Sequence, residues 1–464
     1  MGERYDLAII GSGPGGYVGA IRAAQLGMKV AIVERDRLGG VCLNWGCIPT
    51  KALLRNAEIL SLLRRAEEFG FHFDNLRVDF SVAVKRSERA AAKLSKGVEY
   101  LMKKNKVTVV TGDARMAGKG QIRVSEDGTE TTMEAERVLL ATGTRPREIP
   151  GVAVDGKRVI TSTEALSLPE VPRSLLIIGA GAVGVEFADI YGAYGSAVTI
   201  IEMLPRVLPV EDAEVSSFLE KSFAKRGMKI RVNTKVDEVT VKADQVKLKL
   251  SKEGKQEEIS GDVALVAIGR IPNVEGLGLD GLGVKQDRGG FIEVNAQCET
   301  SVPGIYAIGD VVGGPLLAHK AMAEGIAAVE AMAGIKTKRP DPSKIPNCTY
   351  CSPQVASVGL TEEQAKESGR EVKVGRFSLQ ASGKAVALGD TEGFVKVVAD
   401  AEYGEILGLH IIGPEATEMI AEATMARTLE ATLDELHHSV HAHPTLSEAV
   451  AEACLAALGR AIHM

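Results

Sequence analysis

The segment that decides the fold is LAIIGSGPGG, which runs from Leu7 to Gly16. Its four apolar residues predict a short buried parallel strand, and Gly11, Gly13 and Gly16 then follow the spacing G-x-G-x-x-G. In this pattern the first glycine permits a tight turn, the second lets the backbone approach a pyrophosphate, and the third allows a helix to pack closely on the strand. The segment therefore predicts a phosphate-binding turn that leads into a helix N-terminus.

The next residues complete a βαβ unit. A helical pattern continues to Leu26, Gly27 is placed to end that helix as its C-cap, and residues 30–33 predict the second strand. Glu34 follows at once, 23 residues after Gly11, at a position where an acidic side chain accepts a hydrogen bond from a ribose hydroxyl. A glycine-rich turn without a ligand is the alternative, but strand, helix and acid are all in place, which favours a dinucleotide site.

The whole pattern recurs 168 residues later. Residues 175–178 and 198–201 predict the two strands, and Glu202 follows Gly179 by 23 residues. The turn between the strands carries the three fingerprint glycines, Gly179, Gly181 and Gly184. Two complete copies predict two bound dinucleotides. An acid at position 202 accepts from a free 2′-hydroxyl and repels a 2′-phosphate, and the next basic residue is Arg206, so the second site favours NAD(H) over NADP(H).

Three more strands end in small-residue turns or in an acid. The stretches LLATG (139–143) and VAIGR (266–270) predict strands that run into turns, which is typical of points where a chain crosses between domains. The stretch GIYAIGD predicts a strand that leads to Asp310. Its spacing leaves two roles open for this side chain: a hydrogen bond to a cofactor sugar, or the cap of a helix that begins beyond Pro315.

Composition excludes several classes of protein. The chain has 464 residues, 25% of them charged and 45% hydrophobic, which is ordinary for a soluble protein of about three domains and excludes a disordered, collagenous or membrane-bundle chain. A net charge of −6 provides no basic field for nucleic acid or anionic lipid. Six cysteines are too few for a disulfide framework, and the first residues show no signal peptide. We therefore expect an intracellular, cytoplasmic protein.

Two cysteines, Cys42 and Cys47, lie just beyond the first βαβ unit in the stretch CLNWGC. Pro49 suits the first turn of a helix that carries Lys51. Because a thiolate near a helix N-terminus has a lowered pKa, Cys47 is placed to be reactive, and the pair could close a small disulfide loop beside the nucleotide site. The alternatives are a pair of reduced structural thiols or half of a metal site, and no His or second cysteine pair nearby supports a metal.

The other four cysteines are interpreted as structural. Cys348 and Cys351 form a C-x-x-C that precedes a strand-like stretch instead of opening a helix, so we favour packing residues. Cys298 and Cys454 are isolated thiols, and Cys454 lies on an apolar helix where burial is expected.

Near the end of the chain, the stretch HAHPTLSE places His443 five residues before Glu448. A carboxylate held beside an imidazole fixes its tautomer and stabilises the imidazolium, so this pair could act as an oriented base. Pro444 and Thr445 predict the start of the following helix, with Glu448 one turn in. A solvated histidine at a helix start remains the alternative, and His437 and His438 are expected on the surface.

Taken together, the motifs resemble the flavin-dependent pyridine nucleotide–disulfide oxidoreductases. The resemblance covers essentially the whole chain, in the family's order: GGVCLNWGCIPTKALL (39–54), the two fingerprints, ATGTRPREIPG (141–151), AIGRIPN (267–273), GIYAIGD (304–310) and HAHPTLSE (441–448). It implies an α/β fold with two Rossmann-like dinucleotide-binding domains and a C-terminal α+β dimerisation domain. The implied boundaries are an FAD-binding domain at 1–148, an NAD-binding domain at 149–271, a central domain at 272–344 that returns to the FAD, and a dimer-interface domain at 345–464.

The resemblance also implies roles for individual residues. The FAD contacts would be Gly11, Gly13, Gly16, Glu34, Lys51 and Asp310, and the NAD contacts Gly179, Gly181, Gly184, Glu186 and Glu202. Thr142, Gly143 and Gly269 would also bind a cofactor. Glu186 would line the nicotinamide pocket and pair with Lys51. Cys42 and Cys47 would form the redox disulfide, and His443 with Glu448 would reach it from the other subunit of a homodimer. No metal is expected.

Among the branches of this family, the one that oxidises protein-bound dihydrolipoyl groups with NAD+ fits best. Glu202 argues against NADPH-dependent glutathione-type reductases, and the C-terminus lacks the vicinal cysteines of mercuric reductases. The implied partners are lipoyl-bearing proteins of 2-oxo acid dehydrogenase or glycine cleavage complexes, since this sequence shows no lipoyl module of its own. A role mainly in docking within a multienzyme assembly is the competing hypothesis, but a scaffold has no use for a redox pair and an oriented base.

Overall fold

The computed structural model describes residues 3–242 and 244–463. By its internal contacts the chain forms two compact units. The first contains the described residues of Met1–Ala52, Val82–Arg147 and Gly269–Pro342, and the second those of Leu53–Ser81, Glu148–Ile268 and Ser343–Met464. The chain thus leaves the first unit after Arg147 and returns to it at Gly269, next to the two small-residue turns at which the sequence predicts crossings.

Up to Arg147, the strands are β1 (Arg4–Ile10), β2 (Val30–Glu34), β3 (Thr108–Thr111), β4 (Asp113–Gly118), β5 (Gln121–Glu126), β6 (Thr129–Leu140) and β7 (Thr144–Pro146). The helices are α1 (Pro14–Gln25), α2 (Gly40–Asn44), α3 (Cys47–Arg64) and α4 (Phe80–Lys104).

Between residues 148 and 268, the strands are β8 (Val159–Ile160), β9 (Ser174–Ile178), β10 (Ala197–Ile201), β11 (Lys229–Arg231), β12 (Lys235–Lys242), β13 (Gln245–Lys252), β14 (Lys255–Gly261) and β15 (Val263–Val266). The helices are α5 (Ser162–Ala165), α6 (Ala182–Ala193) and α7 (Ala213–Lys225).

From residue 269 onward, the strands are β16 (Arg270–Pro272), β17 (Ile305–Ala307), β18 (Asn347–Thr349), β19 (Gln354–Gly359), β20 (Val372–Ser378), β21 (Phe394–Asp400) and β22 (Ile406–Gly413). The helices are α8 (Ala318–Met332), α9 (Glu362–Glu367), α10 (Gly383–Leu388), α11 (Ala416–Thr428), α12 (Leu433–His438) and α13 (Glu448–Ala457).

The sheet of the first unit is parallel in its centre, with β3, β2, β1 and β6 side by side. The long strand β6 pairs with different strands along its length: residues 129–134 pair antiparallel with β5, while residues 138–140 pair in parallel with β17. The central strands are buried on both faces, as their continuous apolar sequences require. The carboxyl ends of β1, β6 and β17 therefore meet at one edge of the sheet, where ligands of open α/β sheets bind.

The second unit contains another parallel sheet, in the order β11-β10-β9-β15-β8, with the antiparallel strands β12, β13 and β14 beside it. It also contains an antiparallel sheet in the order β18-β19-β22-β21-β20, whose core packs with apolar residues of α11 and α13. These two parallel sheets and the C-terminal α+β layer confirm the predicted fold class. Among the described residues, no helix is both long and apolar enough to cross a membrane.

Both predicted βαβ units are present, and one glycine in each fixes how the helix meets the strand. A Cβ atom on Gly16 would lie well inside van der Waals distance of the carbonyl oxygen of Gly11, and a Cβ on Gly184 would meet the carbonyl oxygen of Gly179 in the same way. The backbone of α1 and of α6 thus touches the preceding turn directly. By contrast, a Cβ on Gly181 would meet no protein atom within 4 Å.

These contacts predict opposite effects for two alanine substitutions in one turn. Gly184→Ala should lower the free energy of unfolding by about 1–3 kcal/mol, because the added methyl group forces the helix away from the turn. Gly181→Ala should change it by less than about 1 kcal/mol. Calorimetric unfolding of both variants measures the difference, and equal stability of the two would contradict the packing argument.

Candidate active site

The first fingerprint turn is held by the acid that the sequence predicts at the end of β2. Glu34 accepts hydrogen bonds through Oε2 from the backbone N–H (2.9 Å) and the hydroxyl (2.7 Å) of Ser12, and through Oε1 from the N–H of Asp36. Gly11 adopts φ +98°, in the left-handed region that favours glycine. The turn is thus closed by a side chain 22 residues away, and Ser12, to which the sequence analysis gave no role, is its partner.

The second turn repeats this arrangement. Glu202 is buried and accepts hydrogen bonds from the N–H of Ala180 at 2.7 Å and the N–H of Leu204 at 2.8 Å. Gly179 adopts φ +106°. The carboxylate that the sequence predicts for a ribose hydroxyl therefore holds the backbone of this glycine turn.

Both turns fit a dinucleotide. A Cβ on Gly13 or on Gly181 would meet no protein atom within 4 Å, so the space beside these backbones is open to a ligand. Within the described residues, neither α1 nor α6 has a side chain that caps its N-terminus. Their first backbone N–H groups can therefore donate to a pyrophosphate, which the helix dipole also favours.

Cys42 and Cys47 lie side by side at the start of α3. Cys47 is the first residue of that helix and Cys42 belongs to α2, and both are thiols in this structure. A hydrogen bond with Cys47, burial and the negative charge of a Cys47 thiolate raise the pKa of Cys42, while the charge of Lys51 lowers it. The hydrogen bond and the burial therefore favour the protonated form of Cys42.

Asp310 lies in a short 3-10 turn, Gly309–Val312, at the end of β17. The hydroxyl of Thr144 donates to its Oδ2 at 2.8 Å. The cap alternative is wrong, because α8 begins at Ala318 with Leu317 as its N-cap residue and no capping side chain. The interval of several residues between the 3-10 turn and α8 puts the acid out of reach of the helix N-terminus.

Arg270 is a site residue that the sequence analysis missed. Its Nε donates to the hydroxyl oxygen of Thr144 at 2.6 Å and its Nη2 to the Thr144 carbonyl at 2.8 Å. Burial lowers the pKa of this guanidinium, and the charges of Asp310 and Cys47 raise it. The positive charge of Arg270 thus lies near both Asp310 and Cys47. In the sequence, the only signal at this position was the predicted small-residue turn at residues 266–270.

The other predicted site residues near Arg270 are Thr142, Gly143 and Gly269, and all three belong to the first unit. The hydroxyl of Thr142 donates to the Asn273 carbonyl at 2.8 Å, and the Asn273 amide donates back to the Thr142 carbonyl at 2.9 Å. Gly143 and Gly269 both have positive φ, +67° and +110°, beside the short antiparallel pair of β7 and β16.

The turn that carries Asp310 is held by a buried ion cluster. The ammonium of Lys320 donates to the carbonyls of Gly309 (3.1 Å) and Gly313 (2.7 Å) and lies 3.5 Å from Glu324. Glu324 accepts from the Gly309 N–H at 2.8 Å and from Arg339 at 2.7 Å. Lys320 and Glu324 are only 2% and 1% exposed, so their charges compensate each other in a low-dielectric environment.

Glu186 is buried in the second unit on α6. Its Oε1 accepts from the backbone N–H of Tyr350 at 3.0 Å, and one turn later Asp189 accepts from the N–H of Ser352 at 3.0 Å. The intervening Cys351 is fully buried, and burial followed by these two negative charges raises its pKa. This environment agrees with the interpretation of Cys351 as a packing residue. Cys348 packs against the core of the C-terminal sheet.

His443 and Glu448 are in contact. The ring Nδ1 of His443 lies 2.9 Å from Oε1 of Glu448, and the Thr445 N–H donates to Oε2 at 2.8 Å. That backbone bond is the larger cause of the lowered pKa of Glu448, followed by the hydrogen bond with His443. The predicted helix start at Pro444 is wrong: α13 begins at Glu448, because Thr445 forms a turn with Glu448 and with the Ala442 carbonyl.

The structure thus assigns the predicted site residues to both units. Cys42, Cys47, Lys51 and Asp310 belong to the first unit with the first fingerprint. Glu186, Glu202, His443 and Glu448 belong to the second.

Comparison with known proteins identifies two matching family models. Residues 5–325 match the pyridine nucleotide-disulphide oxidoreductase model, and residues 345–454 match the dimerisation domain of the same family. The chain is 51% identical to a dihydrolipoyl dehydrogenase of Chlorobaculum tepidum, covering 99% of this chain and 98% of that protein. It is 47% identical to a dihydrolipoyl dehydrogenase of Rhizobium etli, with both chains covered completely.

Two solved structures are similar over almost the whole chain. LpdA from Mycobacterium tuberculosis matches with a TM-score of 0.91 at 29% identity, covering 97% of this chain and 98% of that one. The Cu(II) complex of the HOCl-induced flavoprotein disulfide reductase RclA from Escherichia coli matches with a TM-score of 0.87 at 27% identity, covering 97% of this chain and 99% of that one.

The ion cluster on α8 generates a prediction with a matched control. Glu324→Ala should lower the free energy of unfolding by about 3–5 kcal/mol, because Lys320 is left as a buried charge without its carboxylate. It should also loosen the Gly309–Val312 turn and increase the loss of flavin on dilution, measured by fluorescence of the released cofactor.

Glu330→Ala is the control on the same helix. Glu330 pairs with Arg22 at 2.6 Å, but these side chains are 20% and 34% exposed. Loss of this ion pair should therefore lower the free energy of unfolding by about 1 kcal/mol or less. Equal losses of stability and flavin in the two variants would show that the buried cluster has no special role.

Proposed function

Since this chain belongs to the pyridine nucleotide-disulphide oxidoreductase family, we propose that it is a dihydrolipoamide dehydrogenase, which oxidises protein-bound dihydrolipoyl groups and reduces NAD+ to NADH. The observation that carries the proposal is the hydrogen-bonded thiol pair of Cys42 and Cys47 at the start of α3. A dithiol–disulfide pair beside a dinucleotide fold provides a two-electron acceptor for a dithiol substrate. The relatives named dihydrolipoyl dehydrogenase support this assignment.

The cofactors of this enzyme are FAD and NAD(H). We assign FAD to the first fingerprint, where the residues that would hold it are Gly11, Gly13, Gly16, Glu34, Lys51, Thr142, Gly143 and Asp310. We assign NAD(H) to the second, where they are Gly179, Gly181, Gly184, Glu186, Glu202 and Gly269. When bound, the flavin supplies the two-electron chemistry that links the thiol pair to the nicotinamide. The domain boundaries proposed from the sequence follow the same division, with residues 272–344 returning to the FAD-binding domain.

In the proposed reaction, His443 accepts a proton at Nε2 from one thiol of the substrate, while Glu448 holds Nδ1–H. The resulting thiolate attacks the Sγ of Cys42 in the Cys42–Cys47 disulfide, and Cys47 leaves as a thiolate. The second substrate thiol then attacks the substrate sulfur that is bonded to Cys42, and its proton passes to Cys42 as that sulfur leaves, which releases the Cys42 thiol and the oxidised cyclic disulfide. The substrate has lost two electrons and two protons, and the cysteine pair has gained two electrons.

The electrostatics of the reduced pair support these roles. The raised pKa of Cys42 means that this sulfur takes up a proton once it is released. The positive charge of Arg270 lies near Cys47 and stabilises a thiolate there. Cys42 is therefore proposed as the sulfur that exchanges with the substrate, and Cys47 as the one that transfers electrons onward.

The enzyme is a homodimer, as its dimerisation domain indicates. We propose that His443 and Glu448 of one subunit serve the Cys42–Cys47 pair of the other. In the single chain the side chain of His443 is 79% exposed, which suits a base that completes its site with a second subunit. The proposed partners are lipoyl-bearing proteins of 2-oxo acid dehydrogenase or glycine cleavage complexes, and the proposed location is the cytoplasm.

Substitution of the inner cysteine tests the thiol chemistry. Cys47→Ser should reduce dihydrolipoamide-dependent NADH formation to below about 1% of the wild-type rate, because a hydroxyl cannot form the disulfide that accepts the electron pair. Cys348→Ser is the control for loss of a thiol elsewhere and should remain active. Full turnover of Cys47→Ser would overturn the proposed function.

The coenzyme preference tests the role of Glu202. With dihydrolipoamide as the reductant, kcat/KM for NAD+ should exceed that for NADP+ by at least about 100-fold, because the carboxylate repels a 2′-phosphate. Steady-state assays with both coenzymes measure this ratio. Comparable rates with NADP+ would show that Glu202 does not read the ribose.

A further inference from the structure

A second histidine–carboxylate pair lies two residues before the proposed base. The ring Nε2 of His441 is 2.6 Å from Oε1 of Glu422, which projects from α11. The ring Nδ1 of His441 is 2.8 Å from the carbonyl oxygen of Ser439. The side chain of His441 is only 10% exposed, whereas that of His443 is 79% exposed.

Both ring nitrogens of His441 are engaged with protein groups. A carbonyl oxygen can only accept a hydrogen bond, so Nδ1 donates to the Ser439 carbonyl, and Nε2 faces the carboxylate of Glu422. With both nitrogens engaged, His441 is poorly suited to accept a proton from a substrate.

His443 has the opposite arrangement. Its Nδ1 faces Glu448, and within the described part of the chain no group forms a hydrogen bond with its Nε2. A ring that donates from Nδ1 leaves a lone pair on Nε2, which can accept a proton. The two histidines thus differ in their contacts: both ring nitrogens of His441 contact protein groups, whereas Nε2 of His443 is available to accept a proton from the substrate.

The two pairs hold the segment between α12 and α13 from two helices. Glu422 on α11 holds His441, and Glu448 at the start of α13 holds both the ring of His443 and the backbone of Thr445. Between them the chain has no helix or strand, so side-chain contacts, and not a regular backbone pattern, fix its position.

We propose that Glu422 and His441 are positioning residues for His443: they hold the segment 439–443 so that Nε2 of His443 meets the substrate thiol. This inference rests on the proposed function, because it concerns the base of that reaction. The charge of His441 also contributes to the lowered pKa of Glu448, after the larger effects of Thr445 and His443.

A double-mutant cycle tests this role. Glu422→Ala alone should lower kcat with dihydrolipoamide by about 10-fold to 100-fold with KM changed less than about 3-fold, because a base displaced by a fraction of an ångström transfers protons poorly. In the His443→Gln background the same substitution should lower kcat further by less than about 2-fold, since Glu422 acts through His443. His441→Ala should behave like Glu422→Ala in both backgrounds.

Two measurements separate positioning from general damage. Reduction of ferricyanide by NADH takes electrons from the flavin without the thiol pair, so Glu422→Ala should retain that rate, its flavin content and its dimeric state. His463→Ala is the control, because it removes another histidine–carboxylate pair: Nδ1 of His463 lies 2.7 Å from Oε1 of Glu452, a residue of α13. This variant should leave kcat with dihydrolipoamide unchanged.

The outcomes are distinct. Unchanged kcat in Glu422→Ala, or independent multiplicative losses in the double variant, would overturn the inference while the proposed function stands. Loss of ferricyanide reduction or of the dimer in both Glu422→Ala and His441→Ala would assign the pair to stability and would also overturn it. A wild-type enzyme that does not oxidise dihydrolipoamide would overturn the proposed function, and the inference with it.

Discussion

The close approach of two helices to the turns that precede them is the constraint on which the rest of this structure depends. Gly16 and Gly184 leave no room for a side chain against the carbonyl oxygens of Gly11 and Gly179, so each helix starts directly behind its strand. The uncapped N–H groups of both helices then face the space where a pyrophosphate can lie. Gly40, the first residue of α2, packs against the same turn, since a Cβ atom there would lie 2.7 Å from the Cα of Gly13, so the first turn also positions the helix that carries Cys42.

Carboxylates fix the irregular parts of the site. Glu34 and Glu202 close the two fingerprint turns, Glu324 holds the turn that carries Asp310, and Glu448 orders the turn before α13. In each case the oxygens accept backbone N–H groups that no helix or sheet would satisfy. Acidic side chains therefore give this protein rigid loops at the places where its proposed chemistry needs fixed positions.

Sequence reasoning succeeded where the relevant residues are close together in the chain. The residues of each glycine fingerprint and of the start of α3 are neighbours in the chain, so their spacing indicated them, whereas spacing left the role of His443 and Glu448 open and the family resemblance favoured it. It failed for Arg270, whose contacts with Thr144 span 126 residues, and for Glu422, which meets His441 from another helix. It also misplaced the start of α13, because the side-chain contacts of Thr445 with Glu448 and with the Ala442 carbonyl hold residues 444–447 in a non-helical turn.

By itself the sequence determined the fold class and the number of dinucleotide sites, because strand–turn–helix periodicity and short glycine spacings are local properties of the chain. Its motifs also indicated the thiol pair and the family, because each motif is a short continuous stretch that resembles the family's own. Only the tertiary structure decided that Asp310 faces Thr144 and not a helix N-terminus, that Arg270 lies near Cys47, and that His441 is engaged at both nitrogens. Those outcomes depend on which distant groups meet after folding, and hydrogen-bond partners and charges brought together in this way leave no periodic signal in the sequence.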